Sequence, residues 1–405
     1  MKKVLLLIMD GLGDTNTHLL NGKTPLQYFD NDYLNWLAEN GETGLMTTID
    51  YGIVPGSDTA HLAIFGYNPK EWYLGRGVYE ALGAGINLKK GDLAFRVNVA
   101  TYENGKIVDR RAGRNDYGLK ELFSLFDGKT IEGVKVILKH TVEHRGVLVL
   151  RGKDLSPLVS ENDPHKEAVP KKIKALSNDE KAKKTAKILN KLINEIHKTW
   201  ENHYINKERE KKGLKKANYL LIRGAGILTK KPEPFEKKYG LKACCIAGGA
   251  LYKGVAKFLG FDIIDVPGAT GDKNTNLDNK VKYAIEKSKD YDFVFLHIKA
   301  TDSLGHDGNC LEKAEFIKKV NDTLKKHKIH KYFDLIVVTG DHSTPCEKRE
   351  HSSDPVPILI WGRLTRKDFG LFDEIKAALG TYRIKGLDLM KIILDKLDKQ
   401  KKFGA

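Results

Sequence analysis

Three apolar runs in this chain end beside acids and imidazoles, and that pattern limits the fold more than any other feature. Residues 4–9 lead straight into Asp10, residues 335–339 into Asp341 and His342, and residues 293–298 into Asp302 and His306. Apolar runs of this length without polar alternation read as strands buried on both faces, as in parallel sheets. Open sheets of that kind collect ligands beyond the carboxyl ends of their strands. The chain is therefore expected to build an α/β core with a polar, reactive edge.

A second stretch points at the same edge. Pro55-Gly56 stops the preceding segment, and Ser57-Asp58-Thr59-Ala60-His61 opens a helix, with Ser57 where an N-cap would sit. A hydroxyl there lies near unpaired N–H groups and the positive end of a helix dipole, which suits an oxygen nucleophile for phosphoryl transfer. Taken alone, Ser57 reads better as an ordinary cap, and only the acids and imidazoles farther along the chain reverse that preference.

The rest of the chain sorts into two textures. Further core strands are expected at 44–49, 243–247, 262–266 and 356–361. Helices are expected from Thr24 through Ala38, from Ser57 to near Gly66, at 250–259 and at 277–288. Between them, segment 92–101 alternates as a half-buried strand, and 134–138, 146–150 and 218–223 read as further strands. Ser177-Asn178-Asp179-Glu180 reads as a capping box for a helix carrying Leu189, Leu192, Ile196 and Trp200 on its core face. With 405 residues, two domains are expected. Residues 1–72 and 240–405 would form a parallel-sheet core with helices on both faces, and 73–239 an inserted, smaller α+β domain.

Composition removes some classes. No apolar run is long enough to span a bilayer. Residues 4–9 follow two lysines but lack a cleavage site, so a strand is preferred to a signal peptide and a cytoplasmic protein is expected. The four cysteines (Cys244, Cys245, Cys310, Cys346) form no disulfide or zinc spacing. The net charge of +16 is concentrated between Lys166 and Lys216, with 16 Lys+Arg against 7 Asp+Glu. The excess is mostly lysine interleaved with acids on a helix, so a solvated face is preferred to nucleic-acid binding.

Asp10, Asp302, Asp341, His306, His342 and His351 together with Ser57 make three carboxylates, three imidazoles and a hydroxyl. Mixed oxygen and nitrogen donors suit Mn²⁺, Zn²⁺, Co²⁺ or Mg²⁺. They are too many for one ion, and two ions suit in-line displacement at phosphorus. Each motif alone also reads as a turn, a cap or a surface group; their coincidence at successive strand ends favours a site.

Met9-Asp10-Gly11, the 55–61 run, Ala300-Thr301-Asp302-Ser303-Leu304-Gly305-His306, Thr339-Gly340-Asp341-His342 and His351-Ser352-Ser353-Asp354-Pro355 resemble the alkaline phosphatase superfamily. More closely they resemble archaeal-type cofactor-independent phosphoglycerate mutases, over nearly the full chain. The resemblance implies an alkaline-phosphatase-like core and interconversion of 3- and 2-phosphoglycerate without 2,3-bisphosphoglycerate. It implies one metal on Asp302, His306 and His351, and a second on Asp10, Asp341, His342 and Ser57, with Ser57 the phosphorylated nucleophile. Mn²⁺ is expected first, with Mg²⁺, Co²⁺ or Zn²⁺ as alternatives, and Lys253 steadying the transferring phosphate. The insert would bring Arg96, Arg110, Arg111, Arg114 and Arg145 for substrate anions, with Asp109 and His165 for hydroxyls or proton transfer. Asp341-His342-Ser343-Thr344 departs from the Asp-His-Gly-Asn run of larger bacterial mutases. A small-molecule substrate is expected, with no nucleic acid, no membrane, and a homo-oligomer left open. The alternatives are a metal-dependent phosphatase, phosphodiesterase or phosphonate hydrolase with the same core, or an RNA-binding protein using the Lys-rich helix.

Overall fold

The computed structural model describes residues 2–404. They divide into two compact units, one of Met1–Tyr73 with Pro232–Ala405 and one of Leu74–Lys231.

The first unit is built on an eight-stranded sheet. Its order is Asp262–Ile263, Ala243–Ile246, Phe293–Ile298, Val4–Met9, Leu335–Thr339, Val356–Gly362, Glu42–Thr47, Tyr382–Lys385. Seven strands run the same way and Val356–Gly362 runs against them. The sequence pattern suggested parallel strands throughout. The chain turns back after Thr339 through a loop with no crossover helix, so the next strand returns antiparallel. Only two residues of the expected 262–266 strand pair. The half-exposed edge strand Tyr382–Lys385 carried no apolar signal.

Both faces of this sheet are covered. Leu5, Leu7, Met9, Val294, Leu296 and Ile336 pack against Leu34, Leu37, Val281, Phe316, Ile317 and Val320, which helices Asp32–Glu39, Leu277–Lys287 and Cys310–His327 present at helical spacing. On the opposite face Phe293, Phe295 and His297, two residues apart along one strand, meet Phe65, His61 and Tyr252. Helices Ser57–Ile64 and Ala250–Phe258 thus cover the second face. The helix expected from Thr24 through Ala38 is two. Thr24 makes its capping box with Gln27, but Asn31 donates its side-chain amide to Leu26 O (2.8 Å). That bond substitutes for continued helix, which restarts at Asp32.

In the second unit, Lys106–Asp109, Leu93–Glu103, Arg145–Arg151, Val134–His140 and Thr130–Ile131 form an antiparallel sheet, with Tyr219–Ile227 also paired to Leu93–Glu103. Helix Glu180–Glu201 lays Leu189, Leu192, Ile196 and Trp200 on its apolar face. Its cap is Asp179, which accepts from Lys181 N, so the helix begins later than the Ser177 capping box suggested.

Gly44 marks where the edge strand fits closely: a Cβ there would lie 2.3 Å from Tyr382 O. Gly44→Ala is expected to destabilise the first unit by about 1–3 kcal/mol through overpacking, read as a lowered unfolding midpoint by calorimetry.

Candidate active site

Local structure delivers each functional side chain to one edge of the first unit's sheet. Asp10 follows Val4–Met9 and donates its backbone N–H to Ile298 O (2.8 Å). Gly11 has φ +61°, and a Cβ there would lie 2.5 Å from Thr344 Oγ1 and 2.8 Å from Asp302 Cβ. Only glycine lets these loops close on one another. The helix cap before the serine is Gly56, so Ser57 is the first helical residue rather than the cap, and its hydroxyl is not used on its own helix. Asp302 and His306 lie four residues apart on helix Ala300–Asp307, hence on one face. His351 is held by its Nδ1, which donates to Pro55 O (2.8 Å).

The seven residues named from the sequence stand together. Ser57 Oγ is 3.2 Å from His342 Nε2. That nitrogen is 3.4 Å from Asp10 Oδ1 and 3.2 Å from Asp341 Oδ2. The Nε2 atoms of His306 and His351 each lie 3.4 Å from Asp302 Oδ1. The rings of His342 and His351 stack with centroids 3.6 Å apart. Two donor groups overlap at His342: Asp10, Asp341 and His342, and Asp302, His342 and His351.

Three features fit this set to divalent cations. His306 and His351 both donate Nδ1–H to backbone carbonyls, Arg349 O and Pro55 O, which leaves each Nε2 lone pair facing the carboxylates. Asp341 Oδ2 is buried without a hydrogen-bond donor among the described residues. Asp10 and Asp302 also share one lysine, which Asp341 lacks as a contact. Burial would raise the Asp10 and Asp302 carboxyls, but Lys299, with neighbouring histidines, holds both below their usual range. Burial and the Asp10 charge push Asp341 well above it. Burial and His351 lower His342 to about 3, leaving a neutral imidazole.

Lys299 escaped the sequence reading. Its ammonium contacts Asp302 and lies 3.3 Å from Asp10 Oδ1. The available signal was its position one residue past the 293–298 run and three before Asp302. Lys253, expected to serve the phosphate, pairs with the exposed Asp265 at 2.9 Å in this structure. His297 and His61 were also missed. His297 Nε2 is 3.1 Å from Asp10 Oδ2, and His61 Nδ1 donates to Ser57 O (2.7 Å).

The second unit gathers its arginines separately. Arg96 stands opposite Arg223 and Arg145 opposite Asn98 on neighbouring strands. Like charges directly opposite destabilise a sheet unless an anion sits between them. Burial and the Arg76 and Arg223 guanidinium groups drive Arg96 well below its ordinary range, with Glu80 opposing. The Nε atoms of Arg96 and Arg145 are buried without acceptors among the described residues. Arg223 and Arg76 were not among the expected residues. Arg110 is held in a bidentate pair by Asp163 (2.9 and 2.7 Å) and His165 by Glu161 (2.6 Å). Asp109 accepts from Arg111 N and Gly113 N, so its carboxylate shapes its own loop. Arg111 and Arg114 are exposed.

Comparison with known proteins agrees with this geometry. Residues 38–206 match the family model of 2,3-bisphosphoglycerate-independent phosphoglycerate mutase. The enzyme of that name from Methanocaldococcus jannaschii is 48% identical, covering 100% of this chain and 99% of its own. The chain belongs to the 2,3-bisphosphoglycerate-independent phosphoglycerate mutase family. A Pyrococcus horikoshii member is 46% identical with the same coverage. A solved Pyrococcus horikoshii protein superposes with TM-score 0.85 at 41% identity, covering 100% of this chain and 99% of that one. The cofactor-independent phosphoglycerate mutase of Thermoplasma acidophilum gives 0.67 at 36%, covering 98% and 99%.

The arginine cluster leaves a mark that titration can read. Burial, then Arg145, Arg96, Arg114 and Arg223, lower the His144 imidazole to about 3. An unfolded histidine takes up its proton near pH 6.5. The folded chain refuses it, so the His144 contribution to stability is complete above pH 6.5 and lost as pH falls toward 3. NMR of the His144 ring in this family member should show a neutral imidazole at pH 5.

Proposed function

We propose that this chain interconverts 3-phosphoglycerate and 2-phosphoglycerate through a phosphoserine on Ser57, without 2,3-bisphosphoglycerate. The observation that carries the reading is the buried Ser57 hydroxyl, 3.2 Å from His342 Nε2 amid two overlapping carboxylate–imidazole donor groups. Full-length relatives of that name support it. Asp302, His306 and His351 would hold one divalent ion, and Asp10, Asp341, His342 and Ser57 the other, Mn²⁺ being the first candidate. When bound, such ions lower the pKa of the serine hydroxyl and stabilise charge on the phosphoryl oxygens.

The chain's own groups do the remainder. Ser57 gives up its hydroxyl proton as its Oγ forms the new O–P bond, the substrate O–P bond breaks in line, and the proton lost by Ser57 balances the one the leaving alkoxide takes up to become a glycerate hydroxyl. Return of the phosphoryl group to the other hydroxyl gives product and frees Ser57. Lys299, beside Asp10 and Asp302, contributes a fixed positive charge where phosphoryl charge is spread. The first unit, in this reading, carries the phosphoryl chemistry. The second carries clustered guanidinium groups, Arg96, Arg145 and Arg223 foremost, of the kind that grip carboxylates in pairs. Retention of glycerate separates a mutase from a hydrolase. No helix among the described residues is long and apolar enough to cross a membrane. The four free cysteines fit a reducing compartment, and we assign the enzyme to the cytoplasm on that ground.

Ser57→Ala is expected to lower mutase activity at least about 10³-fold in an enolase-coupled assay, with an unchanged circular dichroism spectrum. Phosphate release from 3-phosphoglycerate without 2-phosphoglycerate would reject the mutase reading in favour of a hydrolase. Chelation should abolish turnover, and Mn²⁺ alone should restore it; undiminished activity of the stripped protein would remove the metal assignment.

A further inference from the structure

Arg209 is completely buried in the second unit, on helix Tyr204–Lys211. A buried guanidinium normally meets a carboxylate. Here every hydrogen-bond partner among the described residues is a backbone carbonyl. Nε donates to Lys215 O (2.8 Å), Nη1 to Tyr117 O (2.7 Å) and Asn115 O (3.3 Å), and Nη2 to Ala112 O (3.0 Å) and Asn115 O (3.3 Å). Three of these four carbonyls lie in one loop some ninety residues earlier in the chain. All the nitrogens of the planar fork are engaged, which an ammonium could not imitate.

The clamped loop is held in an uncommon shape. Ala112, Gly113 and Arg114 have φ of +44°, +72° and +55°, so two of the three are non-glycine residues in the left-handed region. Such residues persist only where their surroundings over-determine them. The same helix closes on the loop's far end: a Cβ on Gly118 would lie 2.3 Å from Ile205 Cγ2. Asp109 fixes the near end through the N–H groups of Arg111 and Gly113. This loop carries Arg114, one of the charges that press on His144 beside Arg96, Arg145 and Arg223.

We infer that Arg209 is a positioning residue: its buried guanidinium moulds the 112–117 loop so that Arg114 is presented to the anionic substrate. This rests on the phosphoglycerate reading above. Arg209 touches no reacting atom and acts by pre-organising residues that do. Its place in a lysine-rich stretch hid it, because neighbouring charges face water while this one is spent on carbonyls.

The test is hydrogen exchange on the full chain together with steady-state kinetics. In the unaltered protein, the Gly113, Arg114 and Tyr117 amides should exchange as slowly as those of helix Tyr204–Lys211; fast exchange there overturns the clamp without any variant. In Arg209→Lys, exchange across 112–117 should accelerate while helix Glu180–Glu201 stays protected. KM for 3-phosphoglycerate should rise about tenfold with kcat changed less than about threefold, and Mn²⁺ affinity should be unchanged. A folded variant with an unaltered loop or an unaltered KM contradicts the inference, as does an equal fall in kcat and rise in KM accompanied by global loss of protection. Failure of the functional reading is separately visible, as no conversion of 3-phosphoglycerate by the unaltered chain.

Discussion

The first unit depends on burying Asp10, Asp302 and Asp341 within reach of one another at the ends of neighbouring strands. Withdrawing carboxylates from water is costly unless positive charge meets them. Lys299 answers Asp10 and Asp302, but Asp341 is left with Asp10 as a like-charged neighbour. The chain on its own is short of positive charge at this edge. Bound divalent ions would remedy that, and the imidazoles of His306, His342 and His351 turn their remaining nitrogens toward the same carboxylates.

The sheet makes this concentration of charge tolerable. The central strands Val4–Met9 and Leu335–Thr339 are apolar nearly throughout and fully buried, so the polar groups that follow them are confined to the strand ends. Gly11 allows the Asp10 loop to approach Asp302 and Thr344 closely. Thr344 Oγ1 donates to Asp302 Oδ1 at 2.8 Å, fixing the carboxylate from behind. Ser57 arrives from a helix start, where free N–H groups favour an oxygen carrying negative charge.

Much of this was legible in the sequence, because apolar runs announce strands and the residues just past a run sit at the sheet's edge. Asp10, Asp341 and His342 were readable for that reason, and Asp302 and His306 by their helical spacing. Lys299 was not, since a lysine just past a strand looks like any of the chain's 69 Lys and Arg residues. Arg223 was hidden because only long-range strand register sets it opposite Arg96. Local signals also misplaced helix starts: Ser57 stands one residue inside its helix and Asp179 takes the capping role assigned to Ser177. The antiparallel Val356–Gly362 strand carried no mark of its direction, which depends on how the preceding loop returns.

The most direct measurement of the central claim is anomalous diffraction from crystals grown with Mn²⁺ after chelation. The account predicts two anomalous peaks, one among Asp302, His306 and His351 and one among Asp10, Asp341, His342 and Ser57. No ordered manganese at this edge, or a single ion remote from the Ser57 hydroxyl, would contradict it.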